Sequence, residues 1–218
     1  MKEVRILVAD DHKILRDGLC VLLTQQSEFH VIGEASDGQM AFEQAKSLQP
    51  DIVIMDIGMP RLNGIEATQR IRSEAPDCKI IGLSMRVDLR SVLQMFHAGA
   101  YGYIVKHAGY EELTMAIESV MNGQRFISPE IGDLVLEVLL HQTTNQMQMS
   151  YSNLTSRERE VLQLLSEGYT TKDISSMLRL AVNTVESYRR HIMEKLNLHN
   201  IAKLTRFAIR EGLTPIDV

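Results

Sequence analysis

The chain has 218 residues, of which 44% are hydrophobic and 23% charged. That is globular composition and enough length for two domains of unequal size, so a wholly disordered chain is excluded. No apolar run approaches the roughly 18–20 residues of a membrane span, and the net charge of −5 is unevenly spread. Residues 1–150 carry 13 Lys and Arg against 20 Asp and Glu, whereas residues 151–218 carry 10 against 8. A mildly basic tail behind an acidic body is one footprint of a nucleic-acid-binding module. The start, Met1-Lys2-Glu3-Val4-Arg5, has no long apolar core of the secretory kind. Two cysteines, Cys20 and Cys78, are too few for a disulfide framework or a zinc site and read as reduced packing residues. The expectation is a cytoplasmic protein with no membrane contact.

Taken in chain order, strand-length apolar runs at Val4–Ala9, His30–Ala35, Ile52–Met55, Lys79–Leu83 and Tyr101–Val105 alternate with helical stretches. The helices are expected at Ile14–Leu23, Met40–Ser47, Gly64–Ser73, Arg90–Ala98 and Glu111–Met121. Four of the five runs are nearly continuous in apolar residues, as strands covered on both faces must be. Five strands alternating with five helices predict an α/β doubly wound five-stranded parallel sheet. Ser128-Pro129 then opens a further helix, with the serine as cap and an apolar stripe of Leu134, Val135, Val138 and Leu139. The polar, uncharged run from Thr143 to Ser150 reads as a linker.

From Leu154 onward short helices return, predicting a small all-α four-helix domain. Thr155 and Glu158 have capping-box spacing, Thr170 and Asp173 repeat it, and Asn183 and Glu186 repeat it again. The expected buried residues are Val161, Leu162, Leu164 and Leu165; then Ile174, Met177 and Leu178; then Val185, Ile192 and Leu196. Gly168 is expected to end the first helix, and a fourth helix from about Ile201 to Arg210 closes at Gly212. The boundaries are residues 1–125 for the α/β domain, 126–153 for the linker helix and linker, and 154–218 for the helical domain.

In an open parallel sheet, ligands bind at the carboxyl ends of the strands. Asp10 and Asp11 end the first strand and Asp56 the third, so three carboxylates converge. Such a group needs a cation, and a hard, oxygen-preferring ion such as Mg²⁺ suits it. The same edge receives Ser84 from the fourth strand and Lys106 from the fifth. A nucleophilic carboxylate, a hydroxyl and an ammonium beside a divalent ion suit in-line phosphoryl transfer onto aspartate.

These residues carry a resemblance. Residues 4–122 resemble the receiver domain of two-component response regulators through Val8-Ala9-Asp10-Asp11-His12, Met55-Asp56-Ile57-Gly58-Met59-Pro60, Leu83-Ser84-Met85 and Tyr103-Ile104-Val105-Lys106. The resemblance implies that Asp56 accepts a phosphoryl group from a sensor histidine kinase. It implies that Asp10 or Asp11, Asp56 and the Gly58 carbonyl hold Mg²⁺, and that Lys106 and Ser84 contact the phosphoryl oxygens. Tyr103 stands where the family has its switch aromatic. A separate phosphatase or mutase reading is disfavoured, because such enzymes usually place a second acid where Gly58 stands.

In the tail, a short helix and turn precede a longer helix beginning near Asn183, the arrangement that places its later helix in the DNA major groove. Val185, Ile192 and Leu196 face the core, which leaves Glu186, Ser187, Arg189 and Arg190 outward. Arg suits phosphate contact and bidentate reading of guanine. The tail resembles the LuxR-type helix-turn-helix domain of the NarL/FixJ branch, through residues Leu154 to Leu162 and Thr184-Val185-Glu186-Ser187-Tyr188. That implies base reading by Glu186, Ser187 and Arg190, with Thr184, Tyr188 and Arg189 on the backbone of double-stranded DNA. Lys is common in the family where Glu186 stands; here the carboxylate either accepts from a base amino group or completes a cap with Asn183. The resemblance makes Ile201, Leu204 and Ala208 a dimer seam; closing the small core is the other reading of that stripe. It implies a homodimer when phosphorylated and allows RNA polymerase as a further partner. His191 and His199 have no cysteine near them and read as ordinary rather than metal-binding histidines. A tail that binds protein instead of DNA is the remaining alternative, distinguishable by salt dependence.

Overall fold

Strands formed by apolar runs need cover on both faces, and helices provide it. A computed structural model describes residues 3–85, 88–141 and 154–214, the side chains of 137–141 excepted. Its elements fall into two compact units, β1 to α6 and α7 to α10. The first holds β1 (Val4–Ala9), α1 (Lys13–Leu23), β2 (Phe29–Ala35), α2 (Gly38–Leu48), β3 (Ile52–Asp56), α3 (Gly64–Glu74), β4 (Lys79–Ser84) and α4 (Leu89–His97). It continues with β5 (Gly102–Val105), α5 (Tyr110–Met121), β6 (Phe126–Ile127) and α6 (Pro129–His141).

The strands pair in the order β2-β1-β3-β4-β5-β6, all parallel. Strand order reverses direction at β1, so the crevice between the ends of β1 and β3 is the topological switch point. Ile6, Val8, Ile54, Ile81, Leu83 and Ile104 join residues of α1 and α5 in one core cluster. By alternation Leu7, Val53, Met55, Ile80 and Tyr103, all fully buried, face the opposite side. Each such side chain contributes about 1.5–3 kcal/mol relative to exposure. Gly33 lies at an irregularity in the β1–β2 register, pressed under Gln44 and Leu48 of α2.

The sheet therefore has six strands where five were expected. The addition, β6, is two residues long, too short to show any period, and it exists because it covers the free edge of β5. In α6, Ile131 is fully buried while Leu134 and Val135 are half-buried. The side chains of Val138 and Leu139, and the 143–150 stretch expected to be a linker, lie outside the described residues.

The second unit comprises α7 (Ser156–Ser166), α8 (Thr171–Leu178), α9 (Val182–Leu196) and α10 (Ile201–Arg210). Both predicted capping boxes form, Thr155 with Glu158 and Thr170 with Asp173. Gly168 and Gly212 take φ of 92° and 76° just past α7 and α10, the left-handed stop that glycine permits. Val161, Leu162, Leu164, Leu165, Ile174, Val185 and Ile192 form the core with α10, and Leu178 and Leu196 pack at its margin. Met177 is exposed rather than buried as expected; α8 has only two turns and Ile174 already fills its contact.

The predicted cap at Asn183 and Glu186 does not form. Ala181 is the N-cap of α9, with no side-chain bond, so Asn183 lies inside the first turn. The cause is the turn between α8 and α9: Arg179 is left-handed, and Ser175 of α8 accepts the Leu180 amide on its main-chain oxygen while its hydroxyl donates back to the Leu180 carbonyl. This turn delivers the chain into helix before any capping side chain arrives. Leu204 and Ala208 are fully buried in the unit's own core, which corrects their assignment to a dimer seam, since α10 packs them on α7. Of that stripe only Ile201 stays exposed. No described helix is long and apolar enough to cross a membrane.

Candidate functional site

At the carboxyl edge of the sheet β1, β3, β4 and β5 each deliver one polar residue in the position its register dictates. The Asp10 amide continues the β1 ladder by donating to Ala35 at 3.0 Å. Its carboxylate is fully buried beside Asp56, the last residue of β3 and 4% exposed. Lys106 leaves β5 with its amide donating to Ser84, the last residue of β4, at 2.8 Å. Its ammonium lies 2.8 Å from Asp10 Oδ2 and 2.8 Å from Asp56 Oδ2. The Gly58 amide donates to Asp56 Oδ1 at 3.1 Å. Ser84 is buried at the same edge.

Electrostatics follow from that packing. Burial pushes the Asp56 carboxyl up to about 6; Lys106 opposes the rise and Asp10 adds to it. Burial works against the Lys106 ammonium too, but Asp56 and Asp10 outweigh it and hold its pKa above the usual lysine value. The site thus contains two buried acids sharing one base, an arrangement short of one positive charge.

Oxygens of Asp10, Asp11 and Asp56 and a ring nitrogen of His12 lie within 4.8 Å of one another. Asp11 Oδ1 is buried without a hydrogen bond, 2.9 Å from His12 Nδ1. An oxygen-rich cluster with a deficit of positive charge fits a hard divalent cation. His12 belongs to this cluster although sequence reasoning gave it no role; its place directly after the acid pair was the available signal. Arg16 was also missed: Nη1 donates to the Asp10 main-chain oxygen at 2.5 Å, and Nε pairs with Glu34 at 3.1 Å. No spacing rule marks it, because Glu34 comes from another strand.

Tyr103 is fully buried, its ring inside the sheet face opposite Ile104. Cys20 and Cys78 are free thiols that burial pushes up to about 11 and about 12, consistent with packing roles.

In the helical unit, α9 presents Glu186, Arg189 and Arg190 to solvent, while Thr184, Ser187 and Tyr188 are half-buried. Tyr188 also packs on the core, so part of its role is structural. With the Asn183 cap absent, Glu186 takes no part in a cap and is exposed on α9, as are Arg189 and Arg190. Behind them Lys195 pairs with Glu158 at 2.7 Å, locking α9 to the capped start of α7.

Comparison with known proteins assigns each unit. Residues 6–118 match the response regulator receiver domain, and residues 152–208 match the bacterial regulatory proteins of the luxR family. The chain is 35% identical over 214 residues to the oxygen regulatory protein NreC of Staphylococcus carnosus, covering 96% of this chain and 99% of that one. It is 35% identical over 211 residues to the response regulator UvrY of Escherichia coli, covering 96% and 95%. Among solved structures, a LuxR-family two-component response regulator from Aurantimonas superposes with a TM-score of 0.62 at 35% identity, over 64% of this chain and all of that one. The RcsB response regulator of Salmonella typhimurium shares the fold over 95% of this chain and 98% of its own, with a TM-score of 0.60 at 24% identity.

Proposed function

This chain belongs to the two-component response regulators, a receiver domain followed by a LuxR-type DNA-binding domain, and from that premise we propose that Asp56 is its phosphoacceptor and α9 its DNA reader. The observation that carries the reading is the Lys106 ammonium held 2.8 Å from both Asp10 and Asp56, at the point where the strand order reverses.

The step is a phosphoryl transfer. An Asp56 oxygen attacks the phosphorus of a phosphohistidine on a sensor kinase, the P–N bond breaks, and its electron pair leaves with the histidine nitrogen. The product is an acyl phosphate on Asp56. Asp56 needs its carboxylate form to attack, and Lys106 favours that form. After transfer Lys106 is free to pair with a phosphoryl oxygen, and the Ser84 hydroxyl donates to another. Asp10, Asp11, Asp56 and the Gly58 carbonyl would hold Mg²⁺, which supplies charge neutralisation during transfer when bound. The same edge accepts small phosphodonors and slowly releases phosphate to water; no separate substrate reaction is invoked.

Phosphorylation adds about −1.5 to −2 charge and three acceptor oxygens. Ser84 and Lys106 follow those oxygens only by moving the ends of β4 and β5, with Tyr103 as the buried aromatic that repacks. A homodimer then tethers two weak readers, raising affinity for promoter DNA without a new contact. Two-fold symmetry asks for half-sites spaced by about 10 base pairs or a multiple. Arg190, Glu186 and Ser187 are the base-reading positions, with Arg189, Thr184 and Tyr188 on the phosphate backbone. Ile201 remains the exposed member of a dimer contact on α10. The setting is the cytoplasm.

Asp56→Asn tests the assignment. With acetyl phosphate and Mg²⁺ the native chain takes up one hydroxylamine-sensitive phosphoryl group, and the variant takes up none. Labelling that persists in the variant removes Asp56 from the site.

A further inference from the structure

Ser128 has the sequence position of an N-cap, directly before Pro129 at the start of α6, yet its hydroxyl serves the sheet. It is fully buried, accepts the Val105 amide at 3.1 Å and donates to Glu112 of α5. Its own amide donates to Tyr103 at 2.9 Å, and its main-chain oxygen accepts the amides of Ile131 and Gly132 in the first turn of α6. The β5–β6 pairing ends at Tyr103 and Ile127. Where β6 stops, the Ser128 side chain therefore supplies the acceptor that the last amide of β5 would otherwise lack, and a buried amide without one is costly. Val105 is the residue before Lys106. One residue beyond Lys106, His107 Nε2 lies 2.8 Å from Glu130 Oε2, again in the first turn of α6. This second pair is half-exposed and weak by itself; the buried hydroxyl is the stronger tie. On its other side the Lys106 amide is held by Ser84.

We propose that Ser128 is a positioning residue that ties the Lys106 end of β5 to helix α6, so that displacement of residues 105–107 is passed to α6. This rests on the reading of Asp56 as phosphoacceptor, because phosphoryl binding is what moves Lys106. The physical basis is a shared, buried hydrogen-bond path: the hydroxyl that accepts the Val105 amide and the carbonyl that accepts the first amides of α6 both belong to Ser128, which joins the sheet edge to the start of α6. A shift of β5 cannot leave that residue in place without orphaning the Val105 amide. In sequence α6 is the last described element before the helical unit.

Hydrogen exchange of the full chain, read on the peptide covering residues 128–136 with and without acetyl phosphate and Mg²⁺, tests the tie. In the native chain phosphodonor changes exchange there by about fivefold, the factor one ordinary hydrogen bond sets on a local opening. Ser128→Ala retains labelling at Asp56 within about twofold and loses most of this response, because only the residue-128 amide bond to Tyr103 and the exposed His107–Glu130 pair remain. Ser128→Thr keeps the hydroxyl and restores the response. His107→Gln, on the exposed second tie, leaves the fold intact and lowers the response partly. A labelled Ser128→Ala chain with the native response, or a labelled native chain with none, overturns the tie while leaving Asp56 in place. A native chain that takes no label overturns the phosphoacceptor reading and the tie with it.

Discussion

A methyl group at Gly64 would strike the backbone of the residue that carries the chemistry. Gly64 opens α3, its amide donating to Ile57 at 3.0 Å. A Cβ there would lie 2.1 Å from the main-chain oxygen of Asp56, and 2.9 Å from both its carbonyl carbon and the Cα of Ile57. Ordinary carbon–oxygen contact begins at about 3.3 Å, so Gly64→Ala must part α3 from the end of β3 by roughly 1 Å. No flexible side chain can yield, because every atom met is backbone. Overpacking of this kind costs about 1–3 kcal/mol, and a misplacement of about 1 Å at a reacting group can cost about 100-fold in rate. The expected result is a 10- to 100-fold slower uptake of phosphoryl from acetyl phosphate, by order of magnitude about that figure, with a lower unfolding temperature. Gly58→Ala is the matched control, since a Cβ there meets nothing within 4 Å. It leaves the amide that donates to Asp56 and should stay within about 0.5 kcal/mol of the native chain. Quenched labelling gives the rate, and circular dichroism on heating gives the stability. Native behaviour of Gly64→Ala in both, or greater damage from Gly58→Ala, would refute the close-packing argument.

Lys106→Met should still label at Asp56 but no longer raise affinity for duplex DNA on labelling; fluorescence anisotropy that shows an undiminished response would deny Lys106 its signalling role. Arg190→Ala should lose about 1–3 kcal/mol of discrimination at one base position, measured by competition among single-base variants of a bound site, and an unchanged preference removes it from the readers. For the native chain, log affinity for duplex should fall linearly with log salt; flat salt dependence would favour a protein partner for the helical unit. Glu158 supplies the pH prediction. Burial raises its pKa, but Lys195 and the amide and hydroxyl of Thr155 outweigh burial and hold it below the ordinary glutamate value. Its contribution is therefore complete above the unfolded-state pKa of about 4.3 and disappears as pH falls through the lower folded-state value. Glu158→Gln should weaken hydrogen-exchange protection of α7 at pH 7 by about 1 kcal/mol, the worth of a cap, and the difference from the native chain should shrink in acid. A difference that grows in acid would contradict the sign.

Much of the molecule is written in local pattern. Continuous apolar runs specify β1 at Val4–Ala9 as observed, and periodicity with flanking turn residues specifies α10 at Ile201–Arg210. Because side chains alternate along a strand and the loops follow strand ends, Asp10, Asp56, Ser84 and Lys106 could be placed on one edge before any coordinates. What pattern could not supply is what depends on partners distant in the chain. The two-residue β6 has no period of its own and exists only beside β5. Leu204 and Ala208 form a stripe that suits a dimer or a core equally, and packing on α7 turned them inward. Even within one turn, competing local bonds decide: Asn183 has capping spacing, but the turn closed by Ser175 and Leu180 starts α9 before it. Arg16 acquires its place from Glu34, and the Ser128 hydroxyl from Val105, 23 residues away. Periodicity and propensity report how a segment meets a generic environment; which hydroxyl, amide or carboxylate completes that environment is set only when segments remote in sequence are brought to hydrogen-bonding distance.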